Sequence, residues 1–191
     1  MTGKDLERTL AGLTPASAAF LDHAGRALRA AGLMPQGGRG IQAPAITAQH
    51  AANMLLATAL ADTPPEAPPA VVTYSALPAS RSSHQGTGEP CEIKPFAGCV
   101  TLGEALAAIL SNAELALKVS EIHINRSWPH ATIIAKNPEH TGYYGIASYD
   151  EAKKAGHRTS PCHLVFHVSA GSVQQLAIDL ANNDDRGEIV D

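Results

Sequence analysis

Aromatic residues are scarce in this chain: one Trp, three Phe and four Tyr among 191 residues, or 4%. A core built on stacked rings is excluded, so Ala, Leu, Ile and Val must fill it, and alanine-rich helices suit that composition. Charged residues are also few at 17%, against 45% hydrophobic and a mean hydropathy of −0.05, the balance of a soluble globular protein. No run approaches the roughly 18 to 20 apolar residues of a membrane span. The start, Met1-Thr-Gly-Lys-Asp-Leu-Glu-Arg, lacks the apolar stretch of a secretory signal. The expectation is a cytoplasmic protein without membrane contact.

Cysteine is limited to Cys91, Cys99 and Cys162, an odd number with no C-x-x-C spacing, which in a reducing compartment reads as three free thiols. The phosphate-binding G-x-x-x-x-G-K-[ST], the dinucleotide G-x-G-x-x-G and the G-x-S-x-G nucleophile turn are all missing. No cofactor is implied.

Acidic side chains are absent from His23 to Ala61, an interval that holds Arg26, Arg29 and Arg39. Residues 1–60 therefore carry five Lys and Arg against three Asp and Glu, a local +2 within a chain of net −4. Such asymmetry suits contact with phosphates without general adhesion to polyanions.

The pattern along the chain predicts an α+β protein. A helical turn is expected over Lys4–Leu10. Thr14-Pro15 reads as a cap and first helical residue for a helix ending at Gly32. A glycine-rich loop, Met34 to Pro44, leads to Thr47, which caps a helix from Ala48 to about Ala61 with a buried stripe of Ala51, Ala52, Leu55, Leu56, Ala59 and Leu60. Gln49, His50 and Asn53 form a polar patch on its opposite face. Four prolines in Thr63–Ala70 exclude regular helix there and suggest a boundary, followed by a short strand at Val71–Tyr74 and an irregular Ser- and Gly-rich stretch.

Thr101-Leu-Gly-Glu104 has the form of a capping box and opens a further helix. The period then changes from 3.6 to 2. Val119–Arg126 alternates, with Ile122 and Ile124 on one face and Glu121, His123 and Asn125 on the other, and Ala131–Lys136 and His163–Ser169 read as further strands. A last helix is expected over Ser172–Ala181. The organisation is thus a helical, helix-turn-helix-like module at 1–62, a linker at 63–100, an α-β-β-β-α module with an antiparallel sheet and flanking helices at 101–182, and an acidic tail at 183–191.

Three chemistries compete for this frame. In the first, the N-terminal module binds double-stranded DNA: Arg26, Arg29 and Arg39 on phosphates, Gln49, His50 and Asn53 toward base edges. The spacing is unusual, since about fourteen residues separate Gly32 from Thr47 where a helix-turn-helix uses three or four. A homodimer or higher oligomer, held by the C-terminal module, would be the active form because one small module buries little DNA. In the second, His130-Ala-Thr132 and His167-Val-Ser169 match the H-x-[ST] strand motif of two-histidine phosphoesterases, which use the imidazoles as general acid and base on a cyclic nucleotide or cyclic phosphate. In the third, the chain binds and inhibits a host protein and has no active site.

The run Ala31-Gly32-Leu33, Gly37-Gly38-Arg39-Gly40, Ala43-Pro44, Thr47, Ala51-Ala52-Asn53 and Leu55-Leu56-Ala57 resembles a recurring N-terminal segment of uncharacterised phage and prophage proteins, with Trp128-Pro129 similar to a late dipeptide in them. The resemblance implies a phage-related setting, in which a transcriptional regulator or a host-interaction factor is the expected role. It transfers no catalytic residue.

A metal site is not expected. His163 and His167 would sit about 13 Å apart along one strand, although His123 on a neighbouring strand could approach one of them. A solvated polar sheet face with scattered histidines is the reading.

Overall fold

The computed structural model describes residues 1–36, 44–80, 95–145, 153–154, 156 and 165–184. Among them the chain is α+β: seven helices and one four-stranded antiparallel sheet. No helix among the described residues is long and apolar enough to cross a membrane.

Helix α1 spans Gly3–Leu13, longer than the turn expected at Lys4–Leu10, because Thr2 and Asp5 make a reciprocal capping box at its start. The cap expected for the next helix at Thr14 instead closes α1. Its hydroxyl donates back to the Leu10 carbonyl at 2.8 Å, and Ser17 takes over as the cap of α2 (Ala18–Ala30), accepting from the Phe20 N–H at 3.1 Å. Two capping residues stand three apart in Thr-Pro-Ala-Ser, and sequence alone does not say which serves which helix.

Helix α3 (Ala48–Leu60) begins at Thr47 as expected. Its burial is wider than a stripe. Met54, Ala57 and Asn53 are enclosed along with Ala51, Ala52, Leu55, Leu56 and Ala59, since α2, α4 and α5 all pack against it. Four alanines let these neighbours approach closely.

The proline-rich segment is a correction. Pro64–Glu66 forms a 3₁₀ turn and Ala67–Ser75 forms α4, with Pro68 and Pro69 in its first turn. The N–H groups of a first turn have no intrahelical acceptor, so prolines there remove nothing that the helix uses. Val71 and Tyr74, expected on a strand, lie within this helix with buried side chains.

Helix α5 (Leu102–Ser111) opens on the Thr101/Glu104 capping box, and α6 (Ala113–Lys118) follows under an Asn112 cap. The sheet comes next: β1 (Val119–Asn125), β2 (His130–Ala135), β3 (Gly142–Gly145) and β4 (Val165–Ser169), in the spatial order β3-β2-β1-β4. Helix α7 (Ala170–Asp184) starts directly after β4, two residues earlier than expected. The expected first residues of the last strand, His163 and Leu164, lie outside the described residues.

One face of the sheet is apolar, as the alternation requires. Ile122 and Ile124 of β1, Ala131 and Ile133 of β2 and Tyr144 of β3 are all within 1% of complete burial, and Val168 of β4 joins them. This face belongs to the same continuous cluster of buried side chains as Leu6, Leu21 and Leu28 of the first two helices, Leu56 of α3 and Leu106 of α5. Each fully buried Leu contributes about 1.5 to 3 kcal/mol by removal from water, so the cluster is the main source of stability.

Polar anchors fix the sheet to the helices. The Tyr74 hydroxyl of α4 donates to the carbonyls of Asn125 (2.5 Å) and Trp128 (3.1 Å), closing the β1–β2 turn against the helix. Burial pushes its pKa up to about 12. Tyr144 accepts from the Phe96 N–H at 3.0 Å and donates to the Cys99 carbonyl at 3.2 Å, tying the segment before α5 to β3. Gly145, at φ +82°, lies so close to the Pro129 carbonyl that a Cβ would fall 2.2 Å from its oxygen.

Candidate functional site

Of the expected DNA-contacting side chains, Arg29 and Asn53 are largely covered, while Arg26 and Gln49 remain exposed. Arg26 pairs with Asp22 one turn earlier at 2.7 Å, and Lys4 binds the same carboxylate. Arg29 is only 21% exposed and points at Glu7, a buried carboxylate 3.9 Å away that Lys4 also holds at 2.6 Å. Asn53 is 5% exposed and donates to the Leu33 carbonyl at 2.8 Å, while its own oxygen accepts from Gln49 at 3.1 Å. His50 serves the helix cap: its Nδ1 accepts from the Thr47 N–H at 3.2 Å, and burial lowers its pKa. Arg39 lies outside the described residues. The polar patch thus braces the chain between α2 and α3, and the helical period that grouped its members did not reveal which side was covered.

The histidines are organised by strand register. Directly paired residues of antiparallel strands project to the same face. On the polar face, Tyr143, Thr132, His123 and His167 form one row across all four strands, and His130, Asn125 and Val165 form the next. Glu121 and Ser169 are paired one step beyond His123 and His167. Both H-x-[ST] motifs therefore lie on one face, but β1 runs between them.

His130 and His167 are two strands and two residues apart, a Cα separation of about 12 Å at ordinary sheet spacing. Their environments differ as well. The Nε2 atom of His130 is buried without a hydrogen-bond partner among the described residues, and desolvation pushes the imidazole down to about 4, so this ring is neutral at physiological pH. His167 is exposed.

The histidine that His167 meets is His123. Their rings lie edge to face with centroids 4.2 Å apart, and His123 Nε2 is 2.6 Å from Glu121 Oε2. One nitrogen from each imidazole and one oxygen from Glu121 all lie within 4.8 Å of one another, the single such group of His, Cys, Asp or Glu among the described residues. Two imidazoles and a carboxylate form a common donor set for a borderline divalent ion, at about 2.0 to 2.2 Å from each atom. Around a tetrahedral ion the donors would stand about 3.3 Å apart, so the 2.6 Å contact must open and the wider separations, up to 4.8 Å, must close on binding.

In the sequence His123 is only a possible neighbour of His163 or His167, and Glu121 carries no signal beyond its place in the alternation. A hint existed in Glu-x-His on one strand face. What the sequence withheld was the pairing of β1 with a strand some forty residues away.

By its elements this is an α+β protein whose helices cover one face of an antiparallel sheet and whose other face gathers histidines and a carboxylate. Comparison with protein-family models, with curated proteins and with solved structures gives no match.

Proposed function

We propose that the protein binds a divalent metal ion of the zinc class on the polar face of its sheet, with Glu121, His123 and His167 as ligands. The observation that carries this reading is the direct pairing of His123 with His167 on adjacent strands, with Glu121 two residues away on the same face. Three protein ligands on an accessible face leave a coordination position for water or a substrate oxygen, the arrangement of ions that act as Lewis acids rather than as structural clamps. Hydrolysis is the reaction class such an ion serves best, because it lowers the pKa of its bound water. Thr132 and Ser169 place hydroxyl groups beside the cluster, in register with His123 and Glu121.

The nucleic-acid reading keeps Arg26, Arg39, Gln49 and His50 as candidates, whereas Arg29 and Asn53 are largely covered.

Calorimetric titration of the metal-free protein with Zn²⁺ tests the proposal. One equivalent should bind, and His123→Ala or His167→Ala should weaken binding at least about tenfold, while His23→Ala should leave it unchanged. Equal binding by the wild type and the doubly substituted His123→Ala/His167→Ala protein would refute it.

A further inference from the structure

A second site lies away from the histidine face. Where α6 runs into β1 and β2 ends, the surface opens into a cavity of about 510 Å³, within the range of small-molecule sites. Its floor is apolar: Phe96 and Ala135 are nearly buried, and Leu115 packs on the core beside them. Leu117 stands at its mouth with 55% exposure and extends the apolar surface outward.

The rim carries the opposite chemistry. Lys118 ends α6 and Lys136 follows β2, and the Lys136 N–H donates to the Lys118 carbonyl at 2.8 Å, which sets the two residues side by side. Neither ammonium group has an ion-pair partner among the described residues, although the chain has more acids than bases. His140 lines the same opening. Glu139 and Glu114 lie nearby in sequence and are exposed, and no contact joins either to the two lysines.

Adjacent like charges repel, and unpaired ammonium groups beside an apolar hollow gain most from an anion whose remainder is apolar. A tight turn of the backbone forms one side of the hollow. Ala97, which lines the cavity, has φ +51°, the one positive φ of a non-glycine residue among those described. Ala97 and Gly98 (φ +77°) are the central residues of a tight turn closed by the Cys99 N–H donating to the Phe96 carbonyl at 3.0 Å, and this turn shapes the wall of the cavity.

We propose that this cavity binds an amphiphilic carboxylate, an acyl or aryl acid whose tail lies on Phe96, Leu115 and Ala135 and whose head group is held by Lys118 and Lys136. The size of the hollow suits a tail of about ten carbons. This site is independent of the metal ion.

Titration with dodecanoate, dodecanol and dodecyltrimethylammonium, each below its micelle concentration, provides the test. Dodecanoate should bind as a single equivalent, at least about fivefold more tightly than dodecanol, with the cation weakest, and the preference should shrink at high salt. Lys118→Glu/Lys136→Glu should remove the preference for dodecanoate over dodecanol, with far-ultraviolet circular dichroism and the melting temperature reporting that the fold is kept. Leu117→Ser should weaken dodecanol and dodecanoate alike. No binding of dodecanoate, or equal affinity for the three amphiphiles, or an unchanged preference in the lysine variant, would overturn the proposal.

Discussion

His130 makes the stability of this protein dependent on pH in a way that can be worked out in advance. Its Nε2 is buried without a partner among the described residues, and its pKa is about 4 in the folded state against 6.5 when solvated. Between those values the unfolded chain binds a proton that the folded chain refuses, so stability is complete above pH 6.5 and declines as pH falls toward 4. The steepest slope is about 1.4 kcal/mol per pH unit, which amounts to roughly 2 to 3 kcal/mol between pH 6.5 and 4.5. His50, whose pKa is also lowered by burial, contributes in the same direction, so the wild-type curve alone does not isolate the effect. The difference from His130→Phe does. Phenylalanine retains a ring and leaves no stranded nitrogen, so the variant should match or exceed the wild type at pH 4.5 and gain least at pH 8. Urea unfolding of both proteins at pH 8, 6.5, 5.5 and 4.5, with a chelator present to keep the sheet metal-free, gives the comparison. Parallel stabilities across that range would show that His130 is solvated and the reasoning wrong.

Other positions give simpler outcomes. Gly145→Ala should cost at least about 3 kcal/mol in urea unfolding, because its Cβ would meet the Pro129 carbonyl at 2.2 Å on a backbone with φ +82°. Tyr144→Phe removes the acceptor of the Phe96 N–H and the donor to Cys99, so a loss of about 1 to 3 kcal/mol is expected with no change in Zn²⁺ affinity. Asn53→Leu leaves the Leu33 carbonyl without its donor and should lower the melting temperature. Because the side chain is enclosed, any affinity for duplex DNA in a gel-shift assay should change no more than that of Gln49→Ala; a selective loss in Asn53→Leu would speak against its structural role.

Local signals were legible wherever a single segment decides its own form. The caps at Thr47 and Thr101, the alternation of Ile122 and Ile124 with His123 and Asn125, and the period of α5 all appear in the folded chain because nearest neighbours set them. Competition between similar signals was harder to read: Thr14 and Ser17 both suit a cap, and only the hydrogen bond from Thr14 to Leu10 decides between them. Prolines in Thr63–Ala70 suggested a break, yet their position in a first turn makes them compatible with α4. Asn53 shares the polar group of α3 with Gln49 and His50 yet is buried, since burial there depends on where Leu33 returns to α3. Least legible was the candidate site. Its three ligands come from strands whose adjacency is a property of the whole sheet, and no local pattern states that β4 joins β1 rather than β2.

The ring nitrogens of the histidines report most directly on whether that site holds an ion. Long-range ¹H–¹⁵N spectra of the ¹⁵N-labelled protein, taken before and after one equivalent of Zn²⁺, should show the imidazole signals of His123 and His167 moving to the metal-bound range while His130 and His50 stay in place. If the first two rings are unaffected, or if all nine histidines shift together, the sheet does not hold a metal ion in the manner described.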